Sequence, residues 1–462
     1  MVTMTARPRT SVLTVCMAGL LIPQDGACDR AEGKGKRVGD SGERPMSKAK
    51  QAGFSKERLG RIETHLTRKY IEPGRLPCAQ VLVARKGETI YQSVLGLRDV
   101  ERGVALTDDT VFRIYSMTKP VASVALMTLV EEGLIALDDP VAKHIPAWQD
   151  LRVFAAGLGP YATTPVARPM QVVDLLRHTS GLTYGFQSRT NIDAAYRKLK
   201  LAEAHGELDL EGFIAALAKL PLEFSPGEAW NYSVSTDVVG YLVQTVAGKP
   251  LGQVLQERIF DPLKMVDTGF FVREDQRSRF AACYSASAAG AMNLQAAPTG
   301  KLTLNDDPAT SPYLAPPKLE SGGGGLVSTA ADYMRFANML VNGGELDGAR
   351  ILSPMTVRLM ASNHLPGGQD LTQMSRSLFS ESTNEGVGFG LGFAVVFDPP
   401  KTLIPCSMGE FYWGGAASTA FWVDPVEEVT VVFMTQLMPS ATYPIRRELR
   451  TLVYSALMET QG

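Results

Sequence analysis

The chain has 462 residues, 45% of them hydrophobic and 20% charged, which is the balance of a packed globular protein and excludes disorder along its whole length. Lys+Arg count 46 against 48 Asp+Glu, so the net charge is −2 and there is no global basic field for nucleic acid or an anionic membrane. Five widely spaced cysteines without a CxxC pair argue against a disulfide framework or a structural zinc. No apolar run reaches the roughly 18 residues of a transmembrane helix.

Residues 1–53 read as a leader. Arg7 and Arg9 precede the apolar stretch Val12 to Pro23, as in a secretory signal, but a small-x-small cleavage site is missing. The Gly-rich, charged continuation reads as disordered. Three readings compete: a signal peptide, a disordered leader before a start at Met46, and a membrane-associated anchor. The expected compartment is the cytoplasm; if residues 1–28 act as a signal, it is the periplasm or the exterior.

The folded part is expected from Phe54. Leu59, Ile62 and Leu66 share a helical face over residues 55–70, with Ser55 as a cap. Cys78 to Arg85 and Thr89 to Val94, separated by Lys86-Gly87, predict a β-hairpin. Residues 116–132 predict a helix with Val121, Val124, Ala125 and Leu129 on one face, stopped by Gly133. From 134 to about 300 the pattern is mostly helical: Gln171 to Leu176, Leu210 to Leu220, Thr236 to Val246 and Leu251 to Ile259. Residues 281–317 read as a long loop of the kind that lines a site, and 362–385 as another. A helix follows from Ala330 to Asn342. Strand patterns return at Gly390 to Phe397, Ala420 to Val423 and Val429 to Thr435, before a final helix from Tyr443 to Met458.

Strands at both ends and helices between them predict an α/β protein of the α+β type. One mainly antiparallel sheet with flanking helices would be built from 54–133 and 318–462. Residues 134–317 would form an inserted all-helical domain with active-site loops.

Ser116-Met117-Thr118-Lys119 is the central chemical feature. On a helix, positions i and i+3 share a face, so the lysine amine can reach the serine hydroxyl. The helix start favours a developing negative charge. A serine needs such a base to become a nucleophile. The spacing alone is weak, and Ser47-Lys48-Ala49-Lys50 repeats it in the leader. Tyr232, in Trp230-Asn231-Tyr232-Ser233, could relay a proton, or be one of 14 ordinary tyrosines. Trp413-Gly414-Gly415-Ala416 leads into a strand. Its glycines permit close backbone approach by a ligand, and a free strand-edge N–H could complete an oxyanion hole with that of Ser116; the alternative is a plain turn. The chain has no G-x-S-x-G elbow, the five histidines lack metal spacing, and His178 reads as structural. Ser321 to Gly325 is not a P-loop, because no Gly-Lys-Ser/Thr follows.

In this order and spacing, Ser116-x-x-Lys119, Tyr232-Ser233 and Trp413-Gly414-Gly415 resemble the serine β-lactamase-like superfamily. The resemblance is closest to its family VIII carboxylesterases, which look like class C β-lactamases and penicillin-binding proteins. Asp174 to Leu182, Ser225-Pro226-Gly227, Ser321 to Ser328 and Phe421 to Pro425 support it, over about 54–460. The resemblance implies a β-lactamase-like fold with the site between a sheet part and a helical part. It implies Ser116 as acylated nucleophile, Lys119 and Tyr232 as the proton-transfer pair with the base of the two left open, and the N–H groups of Ser116 and Ala416 as oxyanion hole. Trp413, Gly414 and Gly415 would contact substrate.

Two departures bear on substrate. The Y-x-N of class C enzymes is Tyr232-Ser233-Val234 here, and K-T-G is Trp413-Gly414-Gly415. Losing the amide and the lysine, and gaining an apolar wall, favours neutral esters. The expectation is a serine carboxylesterase for short-chain acyl esters, with weak β-lactamase side activity. Alternatives are a β-lactamase or D-Ala-D-Ala peptidase, an acyltransferase to an alcohol, and a non-catalytic acylatable sensor or binding protein. The expected partner is a small-molecule ester; no nucleic acid, metal or organic cofactor is implied.

Overall fold

A computed structural model describes residues 47–201, 205–286, 300–376, 384–440 and 442–461. The signal-like stretch and the rest of 1–46 lie outside the described residues, as do parts of both expected loops, at 287–299 and 377–383.

The core of the fold is an eight-stranded sheet. Its strands are β1 (Cys78–Arg85), β2 (Glu88–Asp99) and β3 (Val104–Ala105) from the N-terminal side. A short strand β4 (Phe112–Arg113) leads out of it. The helix that follows is α2 (Thr118–Glu131), and α1 (Lys56–Leu66) precedes the sheet. A hairpin, β5 (Arg152–Ala156) and β6 (Ala162–Pro165), comes next. Helices α3 (Val172–Leu176), α4 (Leu210–Leu217) and α5 (Ser235–Ala247) follow. Then come β7 (Cys283–Ser285), β8 (Thr303–Asp306), β9 (Val327–Ser328) and α6 (Ala330–Val341). The C-terminal strands are β10 (Val387–Phe389), β11 (Ala394–Val396), β12 (Phe411–Gly414), β13 (Ala420–Asp424), β14 (Val429–Met434) and β15 (Leu437–Met438). Helix α7 (Ile445–Ala456) closes the described fold.

The strand order is β10-β11-β12-β13-β14-β1-β2-β3, and every neighbouring pair is antiparallel. The seam between the chain's two ends runs through β1 and β14, where Val81 faces Phe433 and Val83 faces Val431. Both faces of β1 are covered, so the strand reads as a continuous apolar run. Val81 and Val83 pack with Leu59, Ile62, Leu449 and Val453 on the α1/α7 side. Leu82 and Ala84 join the core that holds Tyr333 and Phe336 of α6 on the other. This alternation is the period-2 geometry of a strand. Cys78 is a buried apolar residue there, and burial pushes its thiol up to about 12.

Several local expectations are corrected. Ordered structure starts before Phe54: Ser47 caps a short helix, Lys48–Gln51, so the second Ser-x-x-Lys spacing is a helix cap. Helix α2 is buried on every side from Thr118 to Leu129 rather than along one face. The stretch 134–317 is not all-helical. It contains the β5–β6 hairpin, and β7 and β8 form a second sheet with β15 from the far end of the chain. Residues 390–393 are the bend of a β10–β11 hairpin rather than strand.

Candidate active site

Ser116 does not lie in the α-helix itself. It occupies a single 3-10 turn, Tyr115–Met117, that feeds α2. Tyr115 just before it has φ +43°, a left-handed conformation that a bulky residue adopts only under constraint. The constraint is visible. Ile114 N–H donates to Leu326 O at 3.1 Å, Met117 N–H to Ile114 O at 3.1 Å, and Arg113 N–H to Gln436 Oε1 at 3.3 Å. Arg113 is fully buried, paired with Asp306 at 2.6 Å and stacked 3.9 Å over Phe280. It thereby fastens β8 beside the turn that carries Ser116.

Two groups of the expected site converge on Ser116 Oγ. Tyr232 OH donates to it at 2.7 Å, and Lys119 Nζ donates at 3.4 Å. Lys119 is 1% exposed, and its ammonium also donates to Gly323 O at 2.6 Å and to Tyr184 OH at 3.1 Å. Three oxygens thus surround the amine. The nitrogen sits 4.6 Å over the Tyr232 ring.

Tyr232 is wedged among aromatic rings. The ring centroids of His178, Tyr184 and Trp413 lie 5.1, 5.2 and 5.5 Å from its own. His178 is structural, as expected. It is 1% exposed, its Nδ1 pairs with Ser233 Oγ at 3.2 Å, and burial holds it well below the usual imidazole range, so it stays neutral. Ser233 and Val234 are both buried, and the Ser233 hydroxyl is spent on His178 and Ser235.

Trp413 lies on β12, half-buried, with Phe389 edge-on at 5.3 Å. Gly414 and Gly415 carry it into the hairpin bend that ends at Ala420. Their freedom from side chains is required by the protein's own packing. A Cβ at Gly414 would meet the Arg446 guanidinium at 2.5 Å, and one at Gly415 would meet Ile114 O at 2.3 Å. Arg446 donates to Gly415 O and Thr419 O at 2.9 Å, fixing the bend from behind. Ala416, in that bend, packs with Tyr115 against Cys283, Ala417 and Met438, which sets it beside the Ser116 turn.

Sequence reasoning missed Tyr184, Gly323 O and Asp237. Gly323 belongs to the Ser321–Gly325 run, whose glycines let α5 approach: a Cβ at Gly322 would sit 2.6 Å from Thr236 O, and one at Gly323 would sit 2.5 Å from Asp237 Oδ2. Among the described residues no cluster of His, Cys, Asp and Glu could hold a metal ion, and no helix is long and apolar enough to cross a membrane.

A mixed α/β fold with a large antiparallel sheet, and a serine, lysine and tyrosine joined at one oxygen, define a serine hydrolase of β-lactamase-like build. The chain belongs to the Beta-lactamase family, whose sequence profile matches residues 64–455. Protein Rv1367c of Mycobacterium tuberculosis (strain ATCC 25618 / H37Rv) is 36% identical over 376 residues, covering 80% of this chain and 88% of its own. Esterase EstB of Burkholderia gladioli is 30% identical over 389 residues, covering 82% of this chain and 91% of its own. The solved structure of EstCE1, a hydrolase with promiscuous acyltransferase activity, superposes with a TM-score of 0.70 at 27% identity, covering 86% of this chain and 99% of that one. The protein is a serine ester hydrolase of this family, of the family VIII type.

Proposed function

We propose that the protein is a carboxylesterase for short-chain acyl esters that works through an acyl-enzyme on Ser116. The observation that carries this is the meeting of Tyr232 OH and Lys119 Nζ at Ser116 Oγ, at 2.7 and 3.4 Å. Ser116 Oγ attacks the ester carbonyl while its proton passes to the Lys119–Tyr232 pair. The N–H groups of Ser116 and Ala416 hold the tetrahedral oxyanion. Collapse expels the alcohol, which takes the proton from the pair. Water then gives a proton to the same pair and attacks the acyl-enzyme, releasing the acid and restoring the serine.

Trp413, with the backbone of Gly414 and Gly415, forms the wall against which the substrate rests. An indole there suits a neutral, apolar ester and offers no cation to a carboxylate. Val234, where class C β-lactamases place an amide, is fully buried. Both features argue for poor β-lactam turnover.

Initial rates of p-nitrophenyl butyrate hydrolysis by the wild type and Ser116→Ala test the reading, with folding checked by circular dichroism. Fast wild-type turnover, lost in a folded variant, is expected. Ester hydrolysis retained by folded Ser116→Ala overturns it. Similarity to EstCE1 favours a second reading, acyl transfer to an added alcohol. Ester product in the presence of butanol would establish it.

A further inference from the structure

Behind Lys119 lies a carboxylate that the proposed chemistry does not use. Asp237 sits in the first turn of α5 and is 1% exposed. Its Oδ1 accepts the hydroxyl of Ser321 and, at 3.0 Å, the N–H of Gly323. Its Oδ2 finds no hydrogen-bond partner among the described residues. A buried carboxylate is costly unless a positive charge compensates it. Burial pushes the Asp237 carboxyl up, and the cation whose charge opposes that push is Lys119. The other titratable groups around the Lys119 amine are Tyr232, Tyr184, whose hydroxyl burial pushes well above its usual range, and His178, which burial keeps neutral.

The same backbone segment joins the two charges. Gly323 gives its N–H to Asp237 and its carbonyl to Lys119, the latter at 2.6 Å. A side chain at Gly323 would collide with the carboxylate at 2.5 Å, so the glycine is what allows the contact.

We infer that Asp237 is a positioning residue for the Ser116 reaction, the buried counter-charge of Lys119, which orients Gly323 so that its carbonyl aims the lysine amine at Ser116. The inference rests on the acyl-enzyme reading above. Its chemical consequence concerns proton affinity. A negative charge near an amine favours the ammonium, so removing it makes Lys119 lose its proton at lower pH.

The test is the pH dependence of kcat/KM in Asp237→Asn, an isosteric change that keeps an acceptor for Gly323 N–H and Ser321. Reaction at Ser116 needs the Lys119–Tyr232 pair ready to accept a proton. The ascending acid limb of the profile is therefore expected to move down by about one pH unit, while kcat/KM at its plateau falls about 10- to 100-fold. Ser321→Ala, which loosens the carboxylate but leaves its charge, is expected to lower the rate without moving the limb. An Asp237→Asn limb that stays in place or moves up, at any rate, overturns the inference. If Asp237→Asn does not fold, Asp237→Ser gives the same neutral comparison.

A second readout separates this from the esterase reading. The rate at which a fluorophosphonate labels Ser116 is followed against pH in both proteins. A wild type that labels but does not turn over esters would sink the esterase reading. The labelling limb would still decide the role of Asp237.

Discussion

Gly415 and Ile114 are in backbone contact. A Cβ on Gly415 would lie 2.3 Å from the Ile114 carbonyl oxygen and 2.3 Å from Thr419 Oγ1. The bend after β12 is therefore seated on the residue two positions before Ser116. Gly415→Ala must push the two apart. Overpacking of this kind costs about 1–3 kcal/mol, so the expected result is a lower Tm together with a loss of ester turnover larger than the stability change explains. Thermal melting and p-nitrophenyl butyrate rates on the same preparation check it. An alanine variant with wild-type turnover would show that the bend plays no part in holding the oxyanion.

Tyr232→Phe removes the hydroxyl 2.7 Å from Ser116 Oγ and leaves the ring among His178, Tyr184 and Trp413. The fold should survive, because the lost hydrogen bond is worth only about 1 kcal/mol. Turnover should fall by roughly 10²–10⁴. Steady-state kinetics with a circular-dichroism melt separates the two effects.

Lys119→Arg keeps the positive charge but cannot give it up. A guanidinium would also be crowded by Gly323 O and Tyr184 OH, which lie 2.6 and 3.1 Å from the present nitrogen. Turnover is expected to collapse at every pH up to 10. Recovery of activity at high pH would remove lysine from the proton path.

Trp413→Ala deletes a ring that packs tilted against Tyr232 and edge-on to Phe389. KM for neutral esters should rise about tenfold, in line with the ~1–3 kcal/mol that an aromatic anchor contributes, with a smaller change in kcat. Equal loss in kcat and kcat/KM would instead assign the ring to the reacting centre.

Glu410, immediately before β12, is completely buried with Arg450 Nε at 2.9 Å from one oxygen. Tyr454 offers its single hydroxyl proton to both Glu410 and Asp424. Burial pushes the Glu410 carboxyl up to about 7, against the pull of Arg450. An unfolded glutamate titrates near ~4.3. The folded state therefore keeps a proton that the unfolded chain has released. The stability from this group is complete below about pH 4.3 and is lost as pH rises to about 7. Glu410→Gln should flatten that fall. Tm measured at pH 5 and pH 8 in both proteins checks it, and an undiminished drop in the variant would exclude Glu410 as its source.

How legible the molecule was depended on the range of each signal. The β1–β2 hairpin, α1, α6 and α7 carry strong local periodicity, and they fold as read. Ser116 and Lys119 stand one turn apart, so their pairing is a short-range property. Tyr184 and Asp237 carry no such mark. They matter because α5 and the glycine run meet α2, a contact between segments that sequence spacing does not relate. The β5–β6 pair and β7–β8 were missed for a similar reason. They are short strands, and β7 takes part of its pairing from β15 at the other end of the chain. The glycines at 414 and 415 mark a close approach in the sequence, and the groups the fold itself packs against them are Ile114 and Arg446, a contact that local spacing does not announce.

The seam between β1 and β14 also says when the enzyme can come alive. Synthesis delivers Ser116 and Lys119 in the first third of the chain, yet the turn that holds them leans on Gln436 and on the bend around Gly415. Gln436 both receives the Arg113 N–H and returns a hydrogen bond to Arg113 O. Until those late residues leave the ribosome, the central strand has no partner on that side, and the turn that carries Ser116 has no fixed geometry. Pairings this distant in sequence are slow to close. Assembly of the Ser116–Lys119–Tyr232 cluster is thus a late event in the life of the chain, and a partly made molecule carries Ser116 without the frame that holds it.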